Sequence, residues 1–539
     1  MTAPVTGARQ PPPSPEGAPR RPSRRPVRWP DALLVLAVAA QVAPVLLLGQ
    51  VVTVDGPAHL LGATVLAEYA DPDHPIYSRL YRLDLFPSPN LLTGGVLALL
   101  LWVLPVAAAE KLVAAAALVL LPLALRYAAR GVRPDAGWLA LVAPPLAAGY
   151  LFFYGFTNFI IGLGLALFAV GHALRQQGGW RRPAIAVQAG LLLLTYLAHM
   201  APFAVALLTL AAVAFARRQL RAVALAAVPA LLLTGAFLAR PGEAGPPAWK
   251  PPADLLAGLV TLALPVVTFD RLEVLPALLL AATLGALGVL AVRRYGRATL
   301  RGTSGALAAA AAVSAVLVVA APATLGVQYG FLNERLSYAP PLLLALWLAA
   351  HPPGRRARVV ACVALLVASG ALVVIRIPAL TYYDRLLGEF ATAGAAVPPG
   401  ATVLPVRLHA FTPPGGAVRI PTWDPLRHAS SGIAARRRGV DIGHYEGQLA
   451  YFPTKFRSGL NKRRILDPTL AGLERVPPVI DLSAAAEGPV PVDYVLLVGR
   501  RAAGPPDLDT ARLLAELDRD YRQVATTSPT GLVEVWARR

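Results

Sequence analysis

The chain has 539 residues, of which 56% are hydrophobic and only 15% are charged, and its mean hydropathy is +0.56. Soluble domains use about 25% charged residues, so this composition excludes an ordinary soluble protein and predicts a multi-pass membrane protein. The formal net charge of +20 does not indicate nucleic-acid binding, because much of it lies in the N-terminal tail and in short loops between apolar segments.

The first 52 residues predict a tail and a membrane anchor. Residues 1–30 are rich in proline and arginine and have no apolar periodicity, which is typical of a disordered segment, here expected in the cytoplasm. Residues 31–52 are apolar over a length that crosses the bilayer, and many apolar segments follow. We therefore expect an uncleaved anchor, which places the residues after it outside the cytoplasm.

The external loop 53–89 carries the first candidate site. Asp55-Gly56-Pro57 predicts the start of a helix, with Asp55 at or just before the N-cap and His59 one turn later. A carboxylate and an imidazole at this spacing can share one wall of a pocket, but an ordinary capped connecting helix has the same pattern. The apolar residues that follow at helical spacing favour a helix on the bilayer surface.

A candidate for a divalent metal site follows in the same loop. Asp71-Pro72-Asp73 has the spacing of a DxD motif and His74 is next to it, so two carboxylates and an imidazole could bind a cation. Proline-rich acidic turns are also common without metal. We therefore expect no metal and no other cofactor, with Asp71, Asp73 and His74 as the ligands to consider if a metal is required.

Arginine-rich turns determine the predicted topology. Eleven segments are apolar enough to be membrane-spanning helices: 31–52, 109–128, 136–154, 157–174, 183–199, 201–216, 221–239, 274–292, 303–324, 333–350 and 357–376. The arginines between them all face the cytoplasm if 90–107, which is also apolar, is a half-helix or a surface helix. This arrangement predicts a multi-pass protein of the bacterial plasma membrane, with a cytoplasmic N-terminus.

Several polar residues then lie at the external ends of the predicted spans. Those selected as candidate substrate contacts are Asn158, His199, Arg271, Glu334 and Arg335. Asn158 and His199 belong to tight turns, for which the alternative is a capped interfacial hairpin. Arg335 has two possible roles. Its guanidinium can bind a phosphate at two points, or its long side chain can simply reach from the end of the span to the water at the membrane surface.

The last part of the chain, 377–539, predicts a soluble α/β or α+β domain on the external side. Its pattern indicates short strands at 401–408 and 494–499, a helix near 509–518, and strands at 523–525 and 532–537. Two polar segments of this domain, 425–431 and 444–446, either face the membrane site or are ordinary loops. No Walker loop, HExxH, CxxC or GxSxG motif indicates a nucleotide, zinc or serine mechanism.

The order of these elements resembles the GT-C superfamily of membrane glycosyltransferases, in a bacterial branch. The shared features are a short cytoplasmic tail, one span, an external loop that starts with an acidic residue, about ten further spans and an external C-terminal domain. The resemblance implies a GT-C fold, a polyprenyl-phosphate-linked sugar donor, and Asp55 as general base. Where many members carry an acidic pair, this chain has Asp55-Gly56-Pro57-Ala58-His59, so the second acid is missing.

The expected function is transfer of a hexosyl or pentosyl group, with inversion, to a lipid, glycan or protein acceptor of the cell envelope. Asp55 would accept the proton of the acceptor hydroxyl, with His59 orienting it or tuning its charge. Arg335 or Arg271 would stabilise the leaving phosphate. Membrane lipids are expected partners and nucleic acid is not. Two alternatives stay open: a transporter or flippase of lipid-linked or envelope precursors, and a non-catalytic membrane scaffold.

Overall fold

A computed structural model of the protein describes residues 29–240, 245–325, 330–411, 424–449, 451–457, 476–482 and 490–539. The tail predicted at 1–30 lies almost entirely outside these residues. Most of the described chain is helical. The α-helices are α1 Trp29–Leu47, α2 Gly56–Glu68, α3 Ile76–Leu80, α4 Leu91–Leu101, α5 Val106–Val132, α6 Ala143–Ala147, α7 Tyr150–Tyr154, α8 Thr157–Arg175, α9 Arg182–Ala198, α10 Met200–Ala216, α11 Leu220–Leu238, α12 Pro252–Val260, α13 Ala263–Val266, α14 Val274–Tyr295, α15 Gly302–Ala320, α16 Leu332–Leu336, α17 Ala339–Ala349, α18 Arg355–Ala393, α19 Ala429–Arg436 and α20 Leu508–Asp520.

Short 3-10 helices and strands complete the described structure. The 3-10 helices are Ala136–Val142, Arg271–Glu273, Gly296–Leu300, Gly394–Ala396 and Tyr445–Gln448. The strands are β1 Tyr81–Leu83, β2 Pro247–Ala248, β3 Thr324–Leu325, β4 Thr402–Arg407, β5 Val440–Asp441, β6 Thr454–Phe456, β7 Tyr494–Val498, β8 Tyr521–Thr526 and β9 Val533–Arg538.

The helical core confirms the predicted polytopic membrane class. Within the described chain, eight helical stretches are long and apolar enough to cross a membrane: Trp29–Leu47, Val106–Val132, Ala136–Tyr154, Thr157–Arg175, Leu220–Leu238, Arg271–Leu300, Gly302–Ala320 and Arg355–Ala396. In hydrocarbon a helix is favoured because it satisfies every backbone polar group within one segment. The number of crossings stays a prediction, since α9, α10 and α17 are shorter apolar helices.

The apolar segment 90–107 forms the short helix α4. This helix has 11 residues and therefore rises about 16 Å, roughly half the thickness of the hydrocarbon layer. Val106–Val132 follows directly and is long enough to cross. This length is compatible with the half-helix or surface helix that the arginine pattern predicts, and whether the segment crosses the membrane stays a prediction.

The arginine-rich turns lie together at one end of the bundle. Contacts that join them are Arg126 to Asp31, Trp180 to Gln219, Arg217 to Thr303, Ser304 to His351, Tyr295 to Pro352 and Arg358 to Asp135. The predicted topology needs this common end. The side of the membrane that it faces stays a prediction based on the positive-inside bias.

The C-terminal part contains the predicted α/β structure. Its five strands have the order β5-β4-β7-β9-β8, in which β4 is parallel to β5 and β7, and β9 is antiparallel to β7 and β8. Helix α18, with 39 residues, runs on past residue 376, so the boundary predicted there falls inside a helix. Glu389, near its end, accepts hydrogen bonds from the hydroxyls of Thr527 and Thr530 and anchors the helix to the domain.

A two-stranded sheet joins the loop 53–89 to the C-terminal domain. Strand β1 pairs antiparallel with β6, with Tyr81 opposite Phe456, and the two rings stack with centroids 4.6 Å apart. Asp84, just after β1, forms ion pairs with Lys455 of this domain and with Arg240 at the end of α11. The loop and the domain therefore enclose one region at the end of the bundle opposite the arginine-rich turns.

Candidate functional site

The backbone around Asp55 is held by the turn between the spans Ala136–Tyr154 and Thr157–Arg175. The amide of Asp55 donates to the carbonyl of Tyr154 at 2.9 Å. Gly155 follows with φ of +110°, and a Cβ at this position would lie 2.7 Å from the Asp55 nitrogen. Only glycine fits both this left-handed conformation and this close approach. The tight turn predicted from Tyr154 to Asn158 thus supports the residue proposed as base.

Asp55 is the N-cap residue of α2, as its sequence pattern predicts, but its side chain makes no capping hydrogen bond. The carboxyl is 5% exposed and is directed to residues of the C-terminal domain. Nε2 of His428 lies 3.6 Å from its Oδ1, and Tyr445 makes a side-chain hydrogen bond to it. The carboxylate is therefore buried at the junction of the loop and the domain instead of closing a helix end.

Burial raises the pKa of Asp55 to about 6. The charges of His59 and Arg427 and the hydrogen bond from Tyr445 oppose this shift, and the charge of Glu446 adds to it. A carboxyl group with this pKa is still mostly ionised at pH 7, yet it is more basic than an exposed aspartate. General-base catalysis works best when the pKa is near the working pH, so the environment of Asp55 suits that role.

His59 lies one turn after Asp55, as predicted, but its direct partner is Glu446. Nδ1 of His59 donates a short hydrogen bond to the Glu446 carboxylate, and Nε2 of His444 lies 3.7 Å from the other carboxylate oxygen. Burial lowers the pKa of His59, but the charge of Glu446 and the hydrogen bond to it, with the charge of Asp55, raise it overall. Burial raises the pKa of Glu446, and the two histidines lower it below its ordinary value.

The contact between His59 and Glu446 needs a glycine on α2. A Cβ on Gly62 would overlap Oε2 of Glu446, a contact closer than side chains make. Gly62 therefore allows the Tyr445–Gln448 helix to approach α2 and brings Glu446 to His59. Phe452 covers the other side of the imidazole, with ring centroids 5.8 Å apart.

Arg335 supplies a positive charge next to Asp55. Its guanidinium lies over the ring of Phe156, 4.8 Å from the centroid, and its charge interacts with those of Asp55 and Glu334. Its Nε is buried without a hydrogen-bond partner, and among the residues described no carboxylate forms an ion pair with it. A guanidinium in this state can bind a ligand phosphate at two points.

Two other predicted substrate contacts have protein partners at this end of the bundle. Asn158 donates from Nδ2 to Oδ1 of Asn90 at 2.5 Å and lines the same pocket as His59. Glu334 is buried and forms an ion pair with Lys250, which ties it to the loop after α11. Both therefore remain candidate contacts, and Lys250 already neutralises the charge of Glu334.

The last two predicted substrate contacts lie apart from Asp55 in the described contacts and stay predictions. His199 is the N-cap of α10, accepts a hydrogen bond from the amide of Ala201 at 3.1 Å, and packs edge-on against Phe159. Arg271 is exposed in the 3-10 helix that leads into α14. The structure shows no contact that brings Arg271 to Asp55 among the residues it describes.

The three candidate metal ligands are engaged separately. Asp71 accepts a hydrogen bond from the amide of Asp73 at 3.0 Å and lies 3.7 Å from Arg438, as in an acidic turn. Nε2 of His74 contacts the carbonyl of Arg438 at 2.6 Å. In the described ranges, no three histidine, cysteine, aspartate or glutamate residues are arranged to hold a metal ion. The expectation that no metal is used stays a prediction.

Residues of the polar segments 425–431 and 444–446 complete the site. Arg427, His428, Tyr445 and Glu446 surround Asp55 and His59, so the site-facing alternative describes these four residues. The two serines of the first segment instead have an ordinary structural role, because both hydroxyls donate hydrogen bonds to Asp441. Sequence patterns marked the segments as polar but could not separate these two groups.

Sequence reasoning missed Glu110, which it placed in the predicted span 109–128. Its carboxylate lines a pocket together with His59, Asn158 and Glu446. The apolar part of its lining comes from residues of α2, α4 and α5: Leu66, Leu97, Val113 and Ala114. The pocket therefore offers both hydrogen-bonding groups and an apolar surface, which suits an amphiphilic ligand.

Comparisons with known proteins identify the fold. No protein-family model matches the sequence, and no curated protein matches it significantly. Among solved structures, the chain is similar to ArnT from Cupriavidus metallidurans in the apo state, with a TM-score of 0.51 and 12% identity over 94% of this chain and 97% of that one. It also matches arabinofuranosyltransferase AftD from Mycobacteria, with a TM-score of 0.46 and 14% identity over 94% of this chain and 40% of that one.

The match to ArnT extends over nearly the whole of both chains, including the membrane helices and the C-terminal domain. The chain therefore has the fold of ArnT over nearly its whole length.

Proposed function

We propose that this protein is a membrane glycosyltransferase that moves a sugar from a polyprenyl-phosphate donor to an envelope acceptor. The observation that carries the proposal is that two groups occur in one site: the buried Asp55 carboxyl with a pKa of about 6, and the partly buried Arg335 guanidinium, which has no acid partner in the described chain. One is suited to accept a proton and the other to bind a phosphate. The GT-C fold supports the assignment.

In the proposed reaction, the oxygen of an acceptor hydroxyl attacks the anomeric carbon of the donor sugar. A new C–O bond forms as the bond between the sugar and the phosphate oxygen breaks. The hydroxyl proton passes to the carboxylate of Asp55, and the polyprenyl phosphate leaves with the additional negative charge. Arg335 stabilises that charge as it develops, and a single displacement of this kind inverts the anomeric centre.

The pocket beside His59 is the proposed place for the acceptor. Its polar lining offers the amides of Asn158 and Asn90 and the carboxylates of Glu110 and Glu446, which suit an acceptor with several hydroxyl groups. Its apolar lining leaves room for a lipid portion. His59 is then a positioning residue, because it holds Glu446 and adds positive charge near Asp55 without touching its carboxylate in the described contacts.

The test compares wild-type protein with Asp55→Asn, using a panel of polyprenyl-phosphate sugars and candidate envelope acceptors. Asparagine has nearly the same shape as aspartate but cannot accept the proton, so transfer should fall by about 10²–10⁴ while the protein stays folded. Undiminished transfer in Asp55→Asn would contradict the proposed base. Donor binding by both proteins without transfer to any acceptor would contradict the transferase assignment and favour a flippase.

A second variant tests the phosphate-binding role. Arg335→Lys keeps the positive charge but loses the planar two-point contact, so donor binding should weaken although the protein stays folded. Arg271→Lys is the matched control, because this exposed arginine has no described contact with the site. Equal donor affinity in Arg335→Lys and wild type would assign the arginine to membrane anchoring instead.

A further inference from the structure

A cavity of about 550 Å³ lies at the end of the bundle opposite Asp55, among the arginine-rich turns. It is bounded by the start of α1, the end of α5, the Ala136–Val142 helix and the start of α18. The residues that matter for its chemistry are Trp29, Asp31, Arg126, Arg130, Trp138 and Arg358. Three guanidinium groups and two indoles thus surround one opening at the membrane surface.

The acidic residues of the cavity do not neutralise all of its arginines. Asp31 forms a two-point ion pair with Arg126, with both N–O distances 3.0 Å. Asp135 is 2.7 Å from Arg133 and 3.7 Å from Arg358. Arg130 has no ion pair with any residue that the structure describes. The cavity therefore keeps an excess positive charge, centred on Arg130 and Arg358.

Trp138, which lines the same cavity, carries a buried hydrogen-bond donor. Trp138 is 3% exposed, and its indole Nε1–H has no acceptor among the described residues. A buried donor without an acceptor is unfavourable unless a ligand or water supplies one. The neighbouring Gly137 keeps the space open, because a Cβ there would lie 3.3 Å from Cγ and Cδ of Arg130.

We propose that this cavity binds the headgroup of an anionic phospholipid. The phosphate would lie between Arg130 and Arg358, and the indole N–H of Trp138 would donate to a headgroup oxygen. Trp29, which is 48% exposed, lies at the mouth of the cavity, where tryptophans are common at membrane surfaces. Basic pockets between membrane helices on the cytoplasmic side are typical sites for anionic headgroups.

A lipid explains the position of the cavity better than a free phosphate does. The cavity lies among turns that a membrane protein places at headgroup level, and the cytoplasmic leaflet is rich in anionic lipid. The segment before Trp29 contains six arginines and one glutamate, so its charge does not complement the cavity. Both ligands share the phosphate group, so the experiment must separate them.

The test measures lipid retention by native mass spectrometry and the unfolding temperature in nanodiscs of phosphatidylglycerol or phosphatidylcholine. Wild-type protein should retain one phosphatidylglycerol and unfold at a higher temperature in that lipid. The double variant Arg130→Gln with Arg358→Gln should lose both the retained lipid and the higher unfolding temperature. Each arginine removed should weaken lipid binding about fivefold. The control pair, Arg293→Gln with Arg297→Gln, removes the same charge at exposed positions outside the cavity.

Trp138→Phe provides an independent variant, because it keeps a buried aromatic ring and removes only the donor. It should retain the fold and lose part of the preference for phosphatidylglycerol. Equal retention of the two lipids by wild type, or equal loss in the control pair and the cavity pair, would overturn the proposal. Protection of wild type by inorganic phosphate to the same extent as by phosphatidylglycerol would overturn the assignment to a lipid.

Discussion

Glu446 in the C-terminal domain accepts a hydrogen bond from His59 in helix α2 of the loop 53–89, across 387 residues of sequence. Neither residue is near the other in the chain, and each belongs to a different part of the fold. Their contact places a carboxylate and an imidazole directly behind Asp55, and it is enclosed by Gly62, Phe452 and His444. The candidate site is therefore built jointly by the loop and the domain.

The pH dependence of transfer should report the ionisation of Asp55. Its pKa is raised to about 6 by burial, and only the ionised form accepts a proton, so the rate should fall about tenfold for each pH unit below that value and be constant above it. The charge of Arg427 lowers this pKa, so Arg427→Gln should move the inflection to higher pH.

Pre-steady-state transfer rates measured between pH 4.5 and 8 would test this expectation. The exposed Arg522→Gln is the matched control, since it removes the same charge from the distant strand β8 and should leave the inflection in place. A rate that stays nearly constant down to pH 4.5, as for an aspartate with the ordinary pKa of 3.8, would contradict the burial of Asp55.

The pair formed by His59 and Glu446 should show strong coupling in unfolding experiments. Glu446 is 3% exposed and His59 is 20% exposed, so loss of either partner leaves a largely buried polar group. His59→Gln and Glu446→Gln should each lower stability by about 3 kcal/mol, and the double variant should lose less than the sum.

Denaturant unfolding of the four proteins in one detergent gives the coupling energy. Arg519→Gln, which removes a partner from the exposed pair with Asp520, serves as a control that should have a much smaller effect. Additive losses for His59 and Glu446 would mean that the two groups do not interact in solution.

Two glycine-to-alanine substitutions should have opposite effects. Gly62→Ala places a Cβ against Glu446, so it should displace the carboxylate and lower stability by about 1–3 kcal/mol, with reduced transfer. Gly190→Ala lies in α9 with open space around it and should raise stability by about 0.5–1 kcal/mol. Thermal unfolding and transfer assays on both variants distinguish a local clash with Glu446 from a general effect of replacing a helix glycine. Stabilisation by Gly62→Ala would contradict the close contact between Gly62 and Glu446.

The sidedness of the membrane domain can be tested with single cysteines in a Cys362→Ala background. Cysteines at Asp73 and Gly504 should react with a membrane-impermeant thiol reagent in intact spheroplasts, because both exposed positions belong to the end that contains Asp55. A cysteine at Gly178, in an arginine-rich turn, should react only after the membrane is opened. Labelling at Gly178 in intact spheroplasts would reverse the predicted orientation.

Sequence patterns were sufficient where a feature depends on neighbouring residues. Apolar length predicted the long helices, and the Asp55-Gly56-Pro57 pattern predicted the start of α2 with His59 one turn later. The arginine pattern predicted a half-helix or a surface helix at 90–107, and the length of α4 is compatible with either. These features are local, because hydrocarbon thickness and helix geometry impose them on each segment separately.

The remaining part of the site depends on contacts that a local pattern does not contain. Glu334 and Arg335 are adjacent in sequence, yet Lys250 from another loop neutralises the first while the second has no acid partner in the described chain. Glu110 looked like an ordinary charge at the start of a span, and only the fold brings it into the pocket beside His59. Long-range pairing of this kind is decided by tertiary packing.

The pairing of β1 with β6 gives the protein an order of assembly during its synthesis. The ribosome adds about 5–20 residues per second, so the 387 residues from His59 to Glu446 take roughly 20–80 s to make. Throughout that time the nascent chain holds Asp55 without His428 and Tyr445, the domain residues that contact its carboxyl. Under the proposed function, a growing chain should therefore not catalyse transfer until its last domain has docked, and an unfinished copy left in the membrane should be inactive as well.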